Sequence, residues 1–240
     1  MKIQNSTALV TGANRGIGRE LVKALLAQGA KKVYATARDV ASLETIVALD
    51  PKRVVPVRLD VTQSAQIEEA AHIAPNVTLL FNNAGALNFG NILEVPMEDI
   101  TRQFATNFYG KLQMARAFAP ALERNGGGIV NVLTLVAFAS MPGLATYNAS
   151  KAAAWSMTQS LRATLAAKHV QVFGVFPGAV DTDMTAGIEM PKTPPAEIAT
   201  AILAGIEADE EDVFPDAMST QLYAAWKQDH KAVERQFATM

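Results

Sequence analysis

The sequence predicts an α/β protein organised as a doubly wound parallel β-sheet flanked by helices. Short β-branched runs alternate with longer helical stretches along the chain. Most of the runs lack the polar alternation of a half-exposed strand, as expected of strands buried on both faces. No Pro/Ser linker, repeat or charge block divides residues 1–240, which read as one domain.

The first strand, Thr7–Val10, runs into Gly12, Gly16 and Gly18 of T-G-A-N-R-G-I-G at 11–18, and helix formers follow over 16–28. Such glycines allow a tight turn and bring backbone N–H groups close to a pyrophosphate at a helix N-terminus, where the dipole favours an anion. The spacing is G-x-x-x-G-x-G, and by itself it is also compatible with a plain turn. The second strand, Lys32–Ala37, ends A-T-A-R-D at 35–39. Folds that prefer NAD usually carry an acidic residue here for the ribose 2′-OH. This chain has Ala37 and then Arg38, with Arg15 in the glycine loop. Two guanidiniums suit a 2′-phosphate, and therefore NADP, unless both are solvated surface residues; Asp39 would offset part of their charge.

A helical stretch near 40–49 precedes the third strand, Val54–Leu59, which closes on Asp60 and Val61. Asp60 either accepts from an adenine amino group or N-caps the helix expected over 63–73. The fourth strand, Thr78–Asn82, ends in N-N-A-G at 82–85, and one long helix is expected over 97–124. The fifth, Gly128–Leu133, is followed by Thr134 and by a helix over 146–168 that opens with Y-N-A-S-K. Residues four apart share a helix face, so Tyr147 and Lys151 are neighbours. A phenol with a pKa of roughly 10 is a poor proton exchanger near neutrality, and a nearby ammonium together with a cationic nicotinamide would favour the phenolate. Y-x-x-x-K alone is common on helices; here a short connection from a strand end lets the phenol face the cleft. The sixth strand, Val170–Phe176, leads into P-G-A-V-D-T at 177–182. A helix over 195–208, a weaker strand Asp212–Phe214 and a final helix over 218–237 complete the series. Ligands of such sheets sit beyond the carboxyl ends of the strands, where every one of these motifs falls.

With these motifs in order, the chain resembles the short-chain dehydrogenase/reductase family from Thr7 to about Met184. The resemblance rests on T-G-A-N-R-G-I-G, N-N-A-G, Asn107 in T-N-F-Y-G, Y-N-A-S-K and P-G-A-V-D-T. Within the family the A-T-A-R-D stretch is similar to NADPH-dependent carbonyl reductases. The resemblance implies a Rossmann-type fold and an NADP(H) site formed by Gly12, Asn14, Arg15, Gly16, Ile17, Gly18, Arg38, Asp60 and Val61. Asn82, Asn83, Ala84 and Gly85 would support the strand ends and the adenosine ribose. Tyr147 would be general acid or base, Lys151 would hold the nicotinamide ribose and tune the phenol, and Asn107 would hold a water in a proton relay. Pro177, Gly178, Val180 and Thr182 would contact the nicotinamide. One position departs from the pattern: the family's serine, thirteen residues before the tyrosine, is Thr134, and Leu133 replaces a second serine. Threonine keeps the hydroxyl but adds a methyl and restricts χ1; Ser140 lies too near Tyr147 to substitute.

Composition excludes other classes. A net charge of −2 with interspersed signs argues against a nucleic-acid partner. The absence of cysteine removes disulfides, thiol nucleophiles and Cys-rich zinc sites. His72, His169 and His230 lie far apart without carboxylates at ligand spacing, so no metal site is expected. No signal-peptide layout is visible and no apolar run approaches the ~18 residues of a membrane span, so a cytoplasmic protein without a membrane partner is expected.

The expected substrate surroundings are apolar: Leu87, Phe89, Val136, Phe138, Met141, Leu144, Met184, Ile188 and Met190, each of which could equally be core. The 183–195 loop has the composition of a flexible lid. Ala149, Ala153, Ser156, Ser160, Ala163 and Ala167 form a small-residue stripe, and the resemblance implies a homodimer or homotetramer through this helix and the preceding one. The function expected is an NADP(H)-dependent oxidoreductase that interconverts an apolar ketone or aldehyde and its alcohol. The alternatives are a 3-oxoacyl carrier-protein reductase, which needs a basic docking patch not visible as a clear cluster, and a non-catalytic NADP-binding sensor in which Thr134 marks decay.

Overall fold

The computed structural model describes residues 1–239. Strand β1 (Thr7–Thr11) pairs in parallel with β2 (Lys32–Ala37) on one side and β4 (Leu79–Asn82) on the other. Adding β3 (Val54–Arg58), β5 (Gly128–Val132), β6 (Gln171–Val175) and the short β7 (Asp212–Val213) gives one seven-stranded parallel sheet, ordered β3-β2-β1-β4-β5-β6-β7. The order reverses between β1 and β4, which opens a crevice at their carboxyl ends.

Both faces of the sheet are covered, as its near-continuous apolar strands require. On one face α1 (Gly16–Ala27) packs against α7 (Pro195–Glu207), with Leu21, Val22 and Leu25 meeting Ile198, Ile202 and Ile206. On the other, α3 (Ser64–Ile73) and α5 (Lys111–Asn125) bury Ile67, Met114, Phe118 and Leu122 against Leu9, Leu80 and Ile129. Full burial of a side chain such as Phe118 contributes about 1.5–3 kcal/mol, so these two layers carry most of the hydrophobic stabilisation.

Three expected helices differ in detail. The 40–49 stretch is a 3₁₀ turn, Val40–Leu43, followed by the single-turn α2, Glu44–Val47. The helix expected over 97–124 is α4 (Met97–Phe104), a π-helical turn (Ala105–Gly110), and then α5. Such π turns widen a helix by one residue and often mark functional positions; this one carries Asn107. The last helix breaks at Asp229 into α8 (Ala217–Gln228) and α9 (His230–Phe237), because the Asp229 carboxylate accepts from Ala232 N and so caps a new helix. Helix α6 (Ala145–Ala166) is continuous. Asp60 is not the N-cap of α3, which is Gln63; its carboxylate accepts from the Thr62 backbone and hydroxyl at 2.9 and 2.8 Å.

Candidate active site

The glycine loop has the shape of an anion cradle. Gly12 and Gly16 have φ of +64° and +51°, in the left-handed region that side chains avoid. A β-carbon on Gly18 would lie 2.1 Å from the Gly12 carbonyl oxygen, so α1 can approach the loop only through glycine. No side chain caps α1, whose N-cap is Arg15. A helix N-terminus with uncapped amides beside a glycine turn fits the pyrophosphate of a dinucleotide. Arg38 is exposed at the end of β2, and the Asp39 carboxylate turns away from it to accept from Ala41 N at 3.0 Å. Arg15, also exposed, pairs with Asp183 at 3.3 Å across the cleft.

The turn after β4 is fixed on every side. Asn83 Nδ2 donates to the carbonyls of Thr11 and Gly12 at 2.9 and 3.2 Å, and Ala84 N donates to Thr11 Oγ1 at 2.9 Å. Buried Asn82 donates to Asn131 Oδ1 at 2.9 Å, tying β4 to β5. Asn107 closes the turn: its Oδ1 accepts from Ala86 N, while its Nδ2 donates to the Ala86 carbonyl and to Ser150 Oγ at 2.8 and 2.9 Å. Both amide protons are thereby used, leaving the second Oδ1 lone pair as its free capacity.

Tyr147 and Lys151 lie on one face of α6, with Lys151 Nζ 5.5 Å from the centre of the tyrosine ring. The ammonium donates to the carbonyls of Val132 and Leu133, at the end of β5, at 3.1 and 3.4 Å. Burial pulls the Lys151 pKa down to about 8. The expectation of a phenol lowered by its lysine is corrected here: burial raises the Tyr147 pKa, and a hydrogen bond from Thr134 opposes the rise. The Thr134 hydroxyl also makes two long backbone contacts, donating to Pro177 O and accepting from Val136 N, both at 3.4 Å. Its one proton is thus shared between the Pro177 carbonyl and the neighbourhood of the phenol, and its oxygen caps the 3₁₀ turn Leu135–Ala137.

The apolar wall beside the phenol comes partly from segments that sequence reading did not place there. Tyr147 and Met141 pack on Leu135, Val136 and Ala139, as do Met218, Leu222 and Trp226 of α8 and Val233 and Phe237 of α9. Phe138 belongs to the core, among Trp155, Phe176, Tyr223 and Trp226. Phe89, at 58% exposed, and Met184, at 39%, stand at the surface. Asp216 keys α8 to the P-G turn: one carboxylate oxygen caps the helix through Ser219 N and the other accepts from Gly178 N, each at 2.8 Å. No local pattern could have disclosed this link, since 38 residues separate its ends.

A family model described as short chain dehydrogenase matches residues 6–192. The chain belongs to the short-chain dehydrogenase family. A short-chain dehydrogenase from Burkholderia cenocepacia J2315, solved in complex with NADP, is 40% identical and superposes with a TM-score of 0.94 over 99% of both chains. A 3-ketoacyl-(acyl-carrier-protein) reductase from Brucella melitensis, solved with NADH, is 27% identical, with a TM-score of 0.82 over 89% of this chain and 98% of that one. A probable oxidoreductase of Mycobacterium tuberculosis, EphD, is 35% identical over 196 residues; this short-chain dehydrogenase spans about a third of its length, 33%.

No helix among the described residues of this short-chain dehydrogenase is long and apolar enough to cross a membrane. One buried charged residue near the site went unnoticed in the sequence. Lys111, on α5, donates to the carbonyls of Asn82 and Ala84 from a position only 2% exposed. Its flanking pattern reads as an ordinary amphipathic helix, so nothing marks it before the fold is known.

Proposed function

We propose that the protein is an NADP(H)-dependent oxidoreductase that interconverts an apolar ketone or aldehyde and its alcohol, with residues 1–240 acting as one dinucleotide-binding and catalytic unit. The observation that carries this reading is the Tyr147 phenol, faced by the Thr134 hydroxyl and bordered by Leu135, Val136, Met141, Met218 and Leu222. When bound, the nicotinamide supplies or accepts the hydride. Tyr147 gives its proton to the carbonyl oxygen during reduction and takes it back during oxidation. Thr134 donates to the same oxygen, a bond that strengthens as negative charge develops there. With a pKa of about 8, Lys151 is mostly protonated at neutral pH and can exchange the Val132 and Leu133 carbonyls for ribose hydroxyls. Asn107 braces the turn on which the ribose would rest.

Arg38, exposed and without an ion-pair partner among the described residues, supports a preference for the 2′-phosphate, and the NADP bound by the Burkholderia cenocepacia relative points the same way. A 3-oxoacyl reductase is the second reading, favoured by the Brucella melitensis relative. Against it, the segment that follows the N-N-A-G turn exposes apolar Phe89, Ile92, Leu93 and Met97 and offers no basic patch for an acidic carrier protein. A non-catalytic sensor would not need Tyr147, Lys151 and Asn107 together. The small-residue stripe of α6 is mostly exposed, which supports assembly of a homodimer or homotetramer through that helix.

Purified protein incubated with NADPH or NADH and a panel of apolar ketones and aldehydes, followed by loss of reduced-nicotinamide absorbance, tests this reading. Turnover with NADPH and apolar carbonyls is expected. Binding without turnover of any carbonyl would favour the sensor, and activity confined to acyl thioesters would favour the 3-oxoacyl reductase.

A further inference from the structure

Lys111 is a buried lysine with no acidic partner among the described residues and no part in the chemistry above. Its amine donates to Asn82 O, the last carbonyl of β4, and, at 3.3 Å, to Ala84 O in the turn that follows. Lys151 does the same at the end of the adjacent strand, bonding Val132 O and Leu133 O. The two lysines flank one dipeptide: Lys111 touches Ala84, and a β-carbon on Gly85 would lie 3.8 Å from Lys151 Nζ. Asn107, one turn before Lys111, holds the next residue, Ala86, at both its N–H and its C=O. The Asn82–Ala86 turn is therefore gripped by a lysine from α5, an asparagine from the π turn and the surroundings of a lysine from α6.

We propose that Lys111 is a positioning residue of the cofactor site: its amine fixes the turn after β4 that Lys151 also borders, so that it governs how the site holds a nicotinamide dinucleotide. A buried ammonium without a carboxylate is costly to keep. The titratable group beside Lys111 is Lys151, with Tyr147 beyond it on α6; the Asp60 carboxylate is held by Thr62. Burial first, and Lys151 second, hold the Lys111 pKa well below the ordinary lysine range.

This inference rests on the nicotinamide-dependent reading, and binding of NADPH by the native protein tests that reading separately. Dissociation constants for NADPH, measured from pH 6 to pH 10 on the native protein, Lys111→Met and Lys111→Arg, test the role of Lys111. Lys111→Met is expected to weaken binding about tenfold. The alkaline limb of the pH dependence should stay where it is, because burial alone sets the Lys151 pKa. Lys111→Arg, which keeps the donors, should restore binding to within about threefold. If Lys111→Met does not fold, Lys111→Gln keeps a donor on a shorter side chain and should show the same weakened binding. Native binding by the Met variant, even with a lowered unfolding midpoint, overturns the proposal. Weakened binding that Lys111→Arg does not restore also overturns it, since a packing defect alone would produce that result.

Discussion

Lys151 Nζ sits 5.5 Å from the centre of the Tyr147 ring yet spends its hydrogen bonds on the Val132 and Leu133 carbonyls, not on the phenol. Its folded pKa of about 8 lies below the ordinary 10.5. Between these values the unfolded chain binds more protons than the native protein, so this group makes stability rise with pH across that window. The burial penalty is thus present in full below about pH 8 and fades by about pH 10.5. Lys151→Met removes the penalty, worth about 3 kcal/mol at most, while leaving two carbonyls without that donor. The expected signature is a stability difference between native and variant that shifts in favour of the native protein from pH 7 to pH 10. Urea unfolding at several pH values measures it, and parallel curves would contradict the assignment. Turnover should be lost at every pH.

Tyr147→Phe should abolish turnover while leaving NADPH binding close to native. The ring keeps its packing against Leu135, Val136 and Met141, and only the transferable proton is removed. Near-native kcat in this variant would show that another group supplies the proton.

Arg38→Asp should reverse cofactor preference. An arginine–phosphate pair is charge-assisted and contributes roughly 1.5–3 kcal/mol when well formed, a ten- to hundredfold effect. Arg38 is exposed, so the lower end is expected, and Arg15 must first release Asp183, an exposed pair worth at most about 1 kcal/mol. Equal kcat/KM for NADPH and NADH in the native enzyme would remove the basis for this prediction.

Thr134→Ala should lower kcat by roughly 10²–10³, the effect of losing one donor worth about 2.7–4 kcal/mol to a developing oxyanion. The two backbone contacts of the hydroxyl, both at 3.4 Å, are too long to hold it firmly, so Thr134→Ser should be tolerated and should accelerate bulky substrates. Steady-state kinetics on both variants, with unfolding midpoints as control, decide the matter. A Thr134→Ala enzyme within about threefold of native kcat/KM would leave Thr134 only a structural role, since a lost oxyanion donor costs far more.

The strands and glycine loop were legible because their signals are local: apolar runs of strand length, and glycines where φ must be positive. The face of α6 that carries Tyr147 and Lys151 was legible for the same reason, since the two are one helical turn apart. What sequence hides is set by distant contacts. The π turn around Asn107 has no compositional mark, because one extra residue in a helix leaves the amphipathic pattern almost intact over short windows. Phe138 reads equally as pocket or core until Phe176, Tyr223 and Trp226 are brought against it. The phenol's ionisation was misjudged because the lysine was visible in the sequence and the burial was not.

The chain has two tryptophans, Trp155 and Trp226, and their rings lie 6.2 Å apart in the cluster that joins α6 to α8. All of the intrinsic indole emission therefore arises from the one corner where the C-terminal helices meet the catalytic helix. A spectral change on adding a ligand that does not absorb in the range of indole emission would report on this corner, whereas a change delayed until global denaturation would mean that the corner melts with the sheet. The protein thus carries its own optical gauge of whether the wall beside Tyr147 stays shut.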